Sequence, residues 1–292
     1  MKVFVTGATG WVGSAVVDEL IGAGHQVTGL VRSEDRAALL AATGAEVIRG
    51  TLDDHDTLHR AAAAADAVIH TAFNHDFSKF AENCEQDRRA IETLGGALEG
   101  SDRRLVVTSG VGMLAPGRLA IETETRALEP SFPRKSESAA TAQSARGVRT
   151  TCIRLAPSVH GLGDHGFIPI LIGIARETGV SAYVGDGQNR WSGVHRLDAA
   201  RLYRLVLEHG ATEAAYHAVA DEAVPFKAIA DVIGRHLGLP VEARDATHFG
   251  WFGMFTGLDM PASSARTRSL LGWDPTGPDL LSDIDQPGYF TM

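Results

Sequence analysis

Cysteine is scarce in this chain. Only Cys84 and Cys152 occur in 292 residues, far apart and without metal-ligand spacing. Cys152 lies in the apolar run Thr151-Cys152-Ile153, which predicts a buried structural thiol, and such usage fits a reducing compartment. Basic charge is also short. With 27 Lys and Arg against 36 Asp and Glu the net charge is −9, which argues against nucleic acid or an anionic membrane as the main partner, since both need a basic surface. No apolar stretch reaches the length of a membrane span, and there is no internal repeat or low-complexity linker. Tyrosine is limited to Tyr183, Tyr203, Tyr216 and Tyr289, all in the second half. The chain enters a strand at once, Met1-Lys2-Val3-Phe4-Val5, with no signal peptide before it, and the expectation is a cytoplasmic protein.

What is present is an ordinary globular composition, 44% hydrophobic and 22% charged, long enough for one large α/β domain or a core with a smaller lobe. Strands are read at 3–6, 26–31, 46–50, 67–70, 104–108 and 150–155, with helices between them at 14–22, 36–42, 56–64, 80–99 and 134–146. Strands alternating with helices at this spacing predict a Rossmann-type, doubly wound parallel sheet. Beyond residue 155 the pattern loosens, with helices read at 168–178 and 197–209 and a strand at 216–220. The expected layout is a dinucleotide-binding core over 1–160, to which 194–220 returns, and a smaller, mostly helical substrate lobe from 161–193 and 221–292.

The strongest local signal is Gly7-Ala8-Thr9-Gly10-Trp11-Val12-Gly13, which follows a strand and opens a helix. A pyrophosphate site needs this arrangement. The first glycine permits the tight turn, the second lets the backbone approach the phosphates, and the third packs helix against strand. The helix N-terminus supplies amide donors and the positive end of a dipole. Cofactor choice is read at the end of the second strand, where an acid would bond the ribose hydroxyls of NAD. Arg32 and Ser33 stand there instead, and a guanidinium beside a hydroxyl suits the 2′-phosphate of NADP. NADP is therefore the expected cofactor.

With these pieces the chain resembles the extended or atypical short-chain dehydrogenase/reductase superfamily, the group of epimerases, dehydratases and carbonyl reductases. The matching segments are Thr6 to Gly13, Gly50-Thr51-Leu52-Asp53-Asp54, Ala67 to Ala72, Val106-Val107-Thr108-Ser109-Gly110, Arg154 to Val159, Val194 to Asp198, and Leu271-Gly272-Trp273-Asp274-Pro275. The resemblance implies that Leu52 or Asp53 lies against the adenine and that Thr71-Ala72-Phe73 runs past the nicotinamide ribose. It further implies that Thr108 lies at the cofactor and that the segment holding Pro157, Ser158 and Val159 covers the nicotinamide. It leaves room for a homodimer paired through two core helices.

The superfamily's catalytic Ser and Tyr-x-x-x-Lys are not all matched. Counting back from Gly147 and Arg154, the tyrosine position falls on Phe132 and the lysine position on Ser136, with Lys135 one residue away. The serine position falls on Gly110, beside Ser109. A shift of one residue restores Ser109 and Lys135 but supplies no phenol, so the proton must come from elsewhere. His75 and His165 are the leading candidates, with His160 and His195 behind them, because imidazole titrates near working pH. Arg190-Trp191 suits a substrate carboxylate, phosphate or ring, or a rim salt bridge. Phe249, Trp251, Phe252, Met254 and Phe255 suit an apolar pocket, or core packing. No metal site is expected. The function expected is NADP-dependent reduction of a small carbonyl or related unsaturated substrate. The alternatives are a non-catalytic NADP-binding sensor and a nucleotide-sugar epimerase or dehydratase.

Overall fold

The computed structural model describes residues 1–125, 133–209 and 212–291. The chain runs β1 (Lys2–Thr6), α1 (Trp11–Gly22), β2 (Gln26–Val31), α2 (Glu34–Ala41), β3 (Glu46–Arg49), α3 (His55–Ala63), β4 (Ala67–His70), α4 (Phe80–Gly96), β5 (Arg104–Gly110), α5 (Ser136–Ala145) and β6 (Arg149–Leu155). It continues through β7 (Ser158–His160), α6 (Phe167–Thr178), β8 (Ser181–Val184), β9 (Arg190–His195), α7 (Arg196–His209), β10 (Ala215–Ala218), β11 (Asp221–Pro225), α8 (Phe226–Leu237) and β12 (Val241–Arg244). It ends with α9 (Gly253–Thr256), α10 (Ala265–Leu271) and α11 (Leu280–Ile284).

Seven strands form a parallel sheet in the order β10-β6-β5-β4-β1-β2-β3. The chain builds outward from β1 to β3, then crosses over and builds the other way from β4. That reversal makes the sheet doubly wound and opens a crevice at the carboxyl ends of β1 and β4. Val3, Phe4 and Val5 of β1 and all four residues of β4 are buried. Continuous apolar runs are what a parallel strand covered on both faces requires. On one face Phe4, Val68, Leu105 and Val107 pack with Leu58 and Ala62 of α3 and with Ile91 and Leu94 of α4. The helical spacing of those apolar positions explains the alternating pattern in the sequence.

By contact density the chain divides into two compact units. The first comprises the described residues of 1–109, 126–154 and 200–216; the second takes those of 110–125, 155–199 and 217–292. The second unit has its own apolar core, centred on Trp191, Phe226, Phe252 and Ile229, all buried. It is not only helical. It carries a three-stranded sheet, β11-β9-β7, and a two-stranded one, β12-β8. Strand β9 escapes a periodicity reading because Trp191, Ser192, Gly193 and Val194 are all buried, so no polar–apolar alternation marks it.

One boundary matters for the site. Helix α5 begins at Ser136, so Arg134 and Lys135 lie in the approach to the helix rather than on it; Lys135 sits at the N-cap with φ −117° and ψ 8°.

Candidate functional site

The turn after β1 is shaped by contacts that only glycine allows. Gly7 has φ +69°, and a Cβ there would lie 2.7 Å from the Ala72 amide nitrogen. At Gly13 a Cβ would fall 2.0 Å from the Gly7 carbonyl oxygen. The Gly10 amide donates to that same oxygen at 2.8 Å, closing the turn. Helix α1 starts at Trp11 with no capping side chain on Gly10 and no acid in its first turn. Helix starts are normally satisfied by a side-chain oxygen. A helix start of this kind suits an anion, which first-turn amides and the helix dipole favour. Thr9 and Val12 are half-buried on either side of the glycine at position 10.

At the end of β2, Arg32 and Ser33 are both exposed, and Arg32 makes no ion pair with a described residue. The nearby Arg49 is taken by Glu34 at 2.6 Å. After β3, Leu52 is buried, and Asp53 accepts from the Gln86 amide at 2.6 Å. After β4, the Thr71 hydroxyl donates to the Thr6 carbonyl at 2.7 Å, so that Thr71 and Ala72 are backed against the glycine turn. Phe73 follows, its ring edge-on to His75 at 5.4 Å and to Phe80 at 6.1 Å, with His75 itself exposed.

Ser109 and Lys135 are not brought together. Ser109 is buried and donates to Glu137 at 2.8 Å, which in turn pairs with the buried Arg154 at 2.8 Å. Lys135 is exposed and pairs with Glu85 at 3.1 Å, contributing with Arg88 to holding that carboxyl down at about 2. Thr108 donates to the His70 carbonyl at 2.7 Å and takes the Tyr203 hydroxyl, also at 2.7 Å. Tyr203 offers no free phenol. It is fully buried, and burial drives its pKa upward.

In the second unit, Pro157 and Val159 are half-buried, and the buried Ser158 hydroxyl has no described hydrogen-bond partner. His165 is exposed beside the buried Asp164, whose carboxyl burial pushes up to about 6. His160 is wholly buried and shares a hydrogen bond with Asp283 at 2.9 Å. Tyr289 donates to the same Asp283 oxygen at 2.6 Å. His195 lies with its ring 5.7 Å from that of His160, and burial lowers its pKa. Arg190 is held by both oxygens of Asp259, at 3.0 and 2.7 Å, and Trp191 is fully buried. Phe249 and Phe252 are core, whereas Trp251 and Met254 are exposed.

The family description "NAD(P)H-binding" matches residues 7–159, which run from the first glycine of the turn through Val159. The chain belongs to this NAD(P)H-binding family. An uncharacterized protein of Schizosaccharomyces pombe is 47% identical over 296 residues, covering 99% of this chain and 100% of that protein. A ketoreductase of Stigmatella aurantiaca, named for a farnesyl-bearing dihydroquinoline oxide, is 29% identical over 86% of this chain and 80% of its own length. Among solved structures, MoeE5 in complex with UDP-glucuronic acid and NAD matches with a TM-score of 0.77 at 22% identity, covering 100% of this chain and 99% of that one. The fold is thus that of the extended short-chain dehydrogenase/reductase superfamily.

For this NAD(P)H-binding protein the glycine turn fits a dinucleotide on its own geometry, since a Cβ at Gly7 or Gly13 would collide with Ala72, Thr71 or the Gly7 carbonyl and open the tight turn that a pyrophosphate site needs. The expected tyrosine position, Phe132, lies outside the described residues. What the sequence reading missed is a buried polar chain in the first unit. The Thr6 hydroxyl meets His70 Nδ1 at 2.7 Å, and His70 Nε2 meets Asp87 at 3.1 Å. Ser136 donates to the other Asp87 oxygen at 2.5 Å, and Arg134 Nε donates to Ser136 at 2.8 Å. Burial would raise the Asp87 carboxyl, but His70, Arg134 and Ser136 together hold it below its ordinary value. A histidine closing an otherwise apolar strand was the one available signal. Its partners come from other elements, Thr6 from β1 and Asp87 from α4.

No helix among the described residues is long and apolar enough to cross a membrane.

Proposed function

We propose that the protein is a cytoplasmic, NADP(H)-dependent oxidoreductase that reduces a small carbonyl or related unsaturated compound with a proton donor other than tyrosine. The observation that carries the reading is the pairing of a Cβ-excluding glycine turn with an exposed Arg32, which makes no ion pair with a described residue, next to Ser33, where an acid would select NAD. In this reading Gly7, Thr9, Gly10, Trp11, Val12 and Gly13 cradle the pyrophosphate. Arg32 and Ser33 take the 2′-phosphate, and Leu52 and Asp53 flank the adenine. Thr71, Ala72 and Phe73 pass the nicotinamide ribose with Thr108 beneath, while Pro157, Ser158 and Val159 cover the nicotinamide. Bound NADPH supplies hydride; the chain itself binds, orients and provides charge. His75 and His165, both exposed, remain the side chains proposed to pass a proton. The ketoreductase name of the Stigmatella relative supports reduction of a carbonyl.

Titration of the purified protein with NADPH and NADH tests the cofactor. Arg32→Asp should weaken NADPH binding at least tenfold, as loss of a charge-assisted contact worth about 1.5 kcal/mol or more implies, and bring NADH closer to it. Unchanged NADPH affinity in that variant would falsify the assignment. A panel of aldehydes, ketones and enones tests the chemistry. One observation favours a second reading, a non-catalytic NADP sensor: both Ser109 and Lys135 are committed to carboxylates. Tight NADPH binding without turnover of any panel member would support it.

A further inference from the structure

Arg134 occupies a position that neither the glycine motif nor the expected catalytic residues account for. Its guanidinium carbon stands 4.0 Å from the centroid of the Phe73 ring, flat-on distance for a cation over an aromatic face. Phe73 is the residue after Ala72, which is packed against Gly7. The cation is thereby tied to the cradle through three residues. Two of its nitrogens are anchored, Nε on the Ser136 hydroxyl at 2.8 Å and one Nη on the Thr108 carbonyl at 3.3 Å. The remaining Nη donates to no described residue, and the side chain is half-buried. Behind Ser136 the carboxylate of Asp87 and the ring of His70 brace the anchor all the way to Thr6, the residue before the turn. Lys135, the neighbour in sequence, faces outward to Glu85.

A positive group braced by a buried network, with one donor edge left over, is suited to an oxygen on which negative charge develops. Around it the surface is aromatic. Phe77 and Phe80 lie 5.8 Å apart, and Phe80 abuts Phe73. With Phe73 edge-on to Phe80 and Phe77 tilted against it by 35°, these rings make an apolar wall that suits an apolar body and gives a row of sugar hydroxyls no hydrogen-bond partners.

We infer that Arg134 is the catalytic electrophile, receiving the carbonyl oxygen of an apolar ketone, aldehyde or quinone packed against Phe77 and Phe80, while Phe73 backs the cation. The inference rests on the reductase reading above. Hydride from NADPH forms the new C–H bond at the carbonyl carbon, and the C=O π pair moves onto the oxygen against Arg134. That oxygen then takes a proton passed from solvent through His75, the water that gave it being left as hydroxide, while NADPH leaves oxidised as NADP⁺. Arginine holds its charge at all working pH and donates no proton, which is why a solvent proton completes the balance.

The test uses the full-length protein, NADPH, and phenanthrenequinone as the probe carbonyl, with Arg134→Ala, Arg134→Lys and Lys135→Ala compared. NADPH affinity is read separately by fluorescence, so a folded cradle is established for each variant. The expected result is a fall of about 100-fold in kcat for Arg134→Ala, the size of losing one oxyanion donor, with NADPH still bound. Millimolar guanidinium should restore part of that loss, and Arg134→Lys should retain more activity than Arg134→Ala. If Arg134→Ala fails to fold, Arg134→Lys carries the test, through a raised KM for the quinone at unchanged NADPH affinity. Full activity in Arg134→Ala, or loss confined to Lys135→Ala, overturns the inference and leaves the reductase reading standing. NADPH binding with no turnover of the quinone or of the wider carbonyl panel by the wild-type protein overturns both.

Discussion

At the scale of single residues, Asp164 is the clearest case of chemistry set by burial. Its carboxyl accepts from the Gly166 amide at 2.7 Å, yet it is nearly inaccessible, and desolvation raises it to about 6. An unfolded aspartate titrates near 3.9. Between roughly pH 4 and pH 6 the native state therefore holds more protons than the unfolded state, so stability falls as pH rises through that window. The penalty reaches about 3 kcal/mol above it. Asp164→Asn keeps an oxygen for Gly166 and removes the charge. Its melting temperature should match the wild type near pH 4 and exceed it above pH 7; equal melting at both would show that the carboxyl is not desolvated. Gly7 and Gly13 belong to the same scale, but their requirement is steric. They were legible in the sequence because a turn of seven contiguous residues states its own geometry.

At the scale of elements, the informative unit is the bracing of β4 against α4 and the start of α5. His70, Asp87 and Ser136 are separated by 17 and 49 residues along the chain and meet only because these elements pack together. Asp87 accepts at both oxygens, so Asp87→Asn must turn an amide N–H toward either the His70 ring or the Ser136 hydroxyl. The expected cost is about 1–3 kcal/mol, seen as a lower denaturant midpoint with an unchanged slope. A midpoint equal to wild type would mean that the chain carries no net stability. The strands and helices themselves were mostly foreseeable, since β1 and β4 are continuous apolar runs and α3 and α4 repeat apolar positions at helical spacing. The start of α5 was not. Placing it at Ser136 changes which cation serves the site, from Lys135 to Arg134, because the two residues before the helix point to different surroundings.

At the scale of the whole molecule, binding of the proposed cofactor should appear as stability. A ligand at 100 times its Kd adds about 2.7 kcal/mol to a native state that alone binds it. NADPH should therefore raise the thermal midpoint measurably, and more than NADH at equal concentration. An equal or reversed order would remove the role given to Arg32 and Ser33. By itself the sequence determined the doubly wound core, the glycine turn and the lack of an acid after β2, because each rests on residues adjacent in the chain or on a local period. Only the tertiary structure decided that Ser109 is spent on Glu137, that Lys135 faces Glu85, and that Arg134 lies braced over Phe73. Those are pairings between distant segments, and no local pattern encodes which donor meets which acceptor once the core has closed.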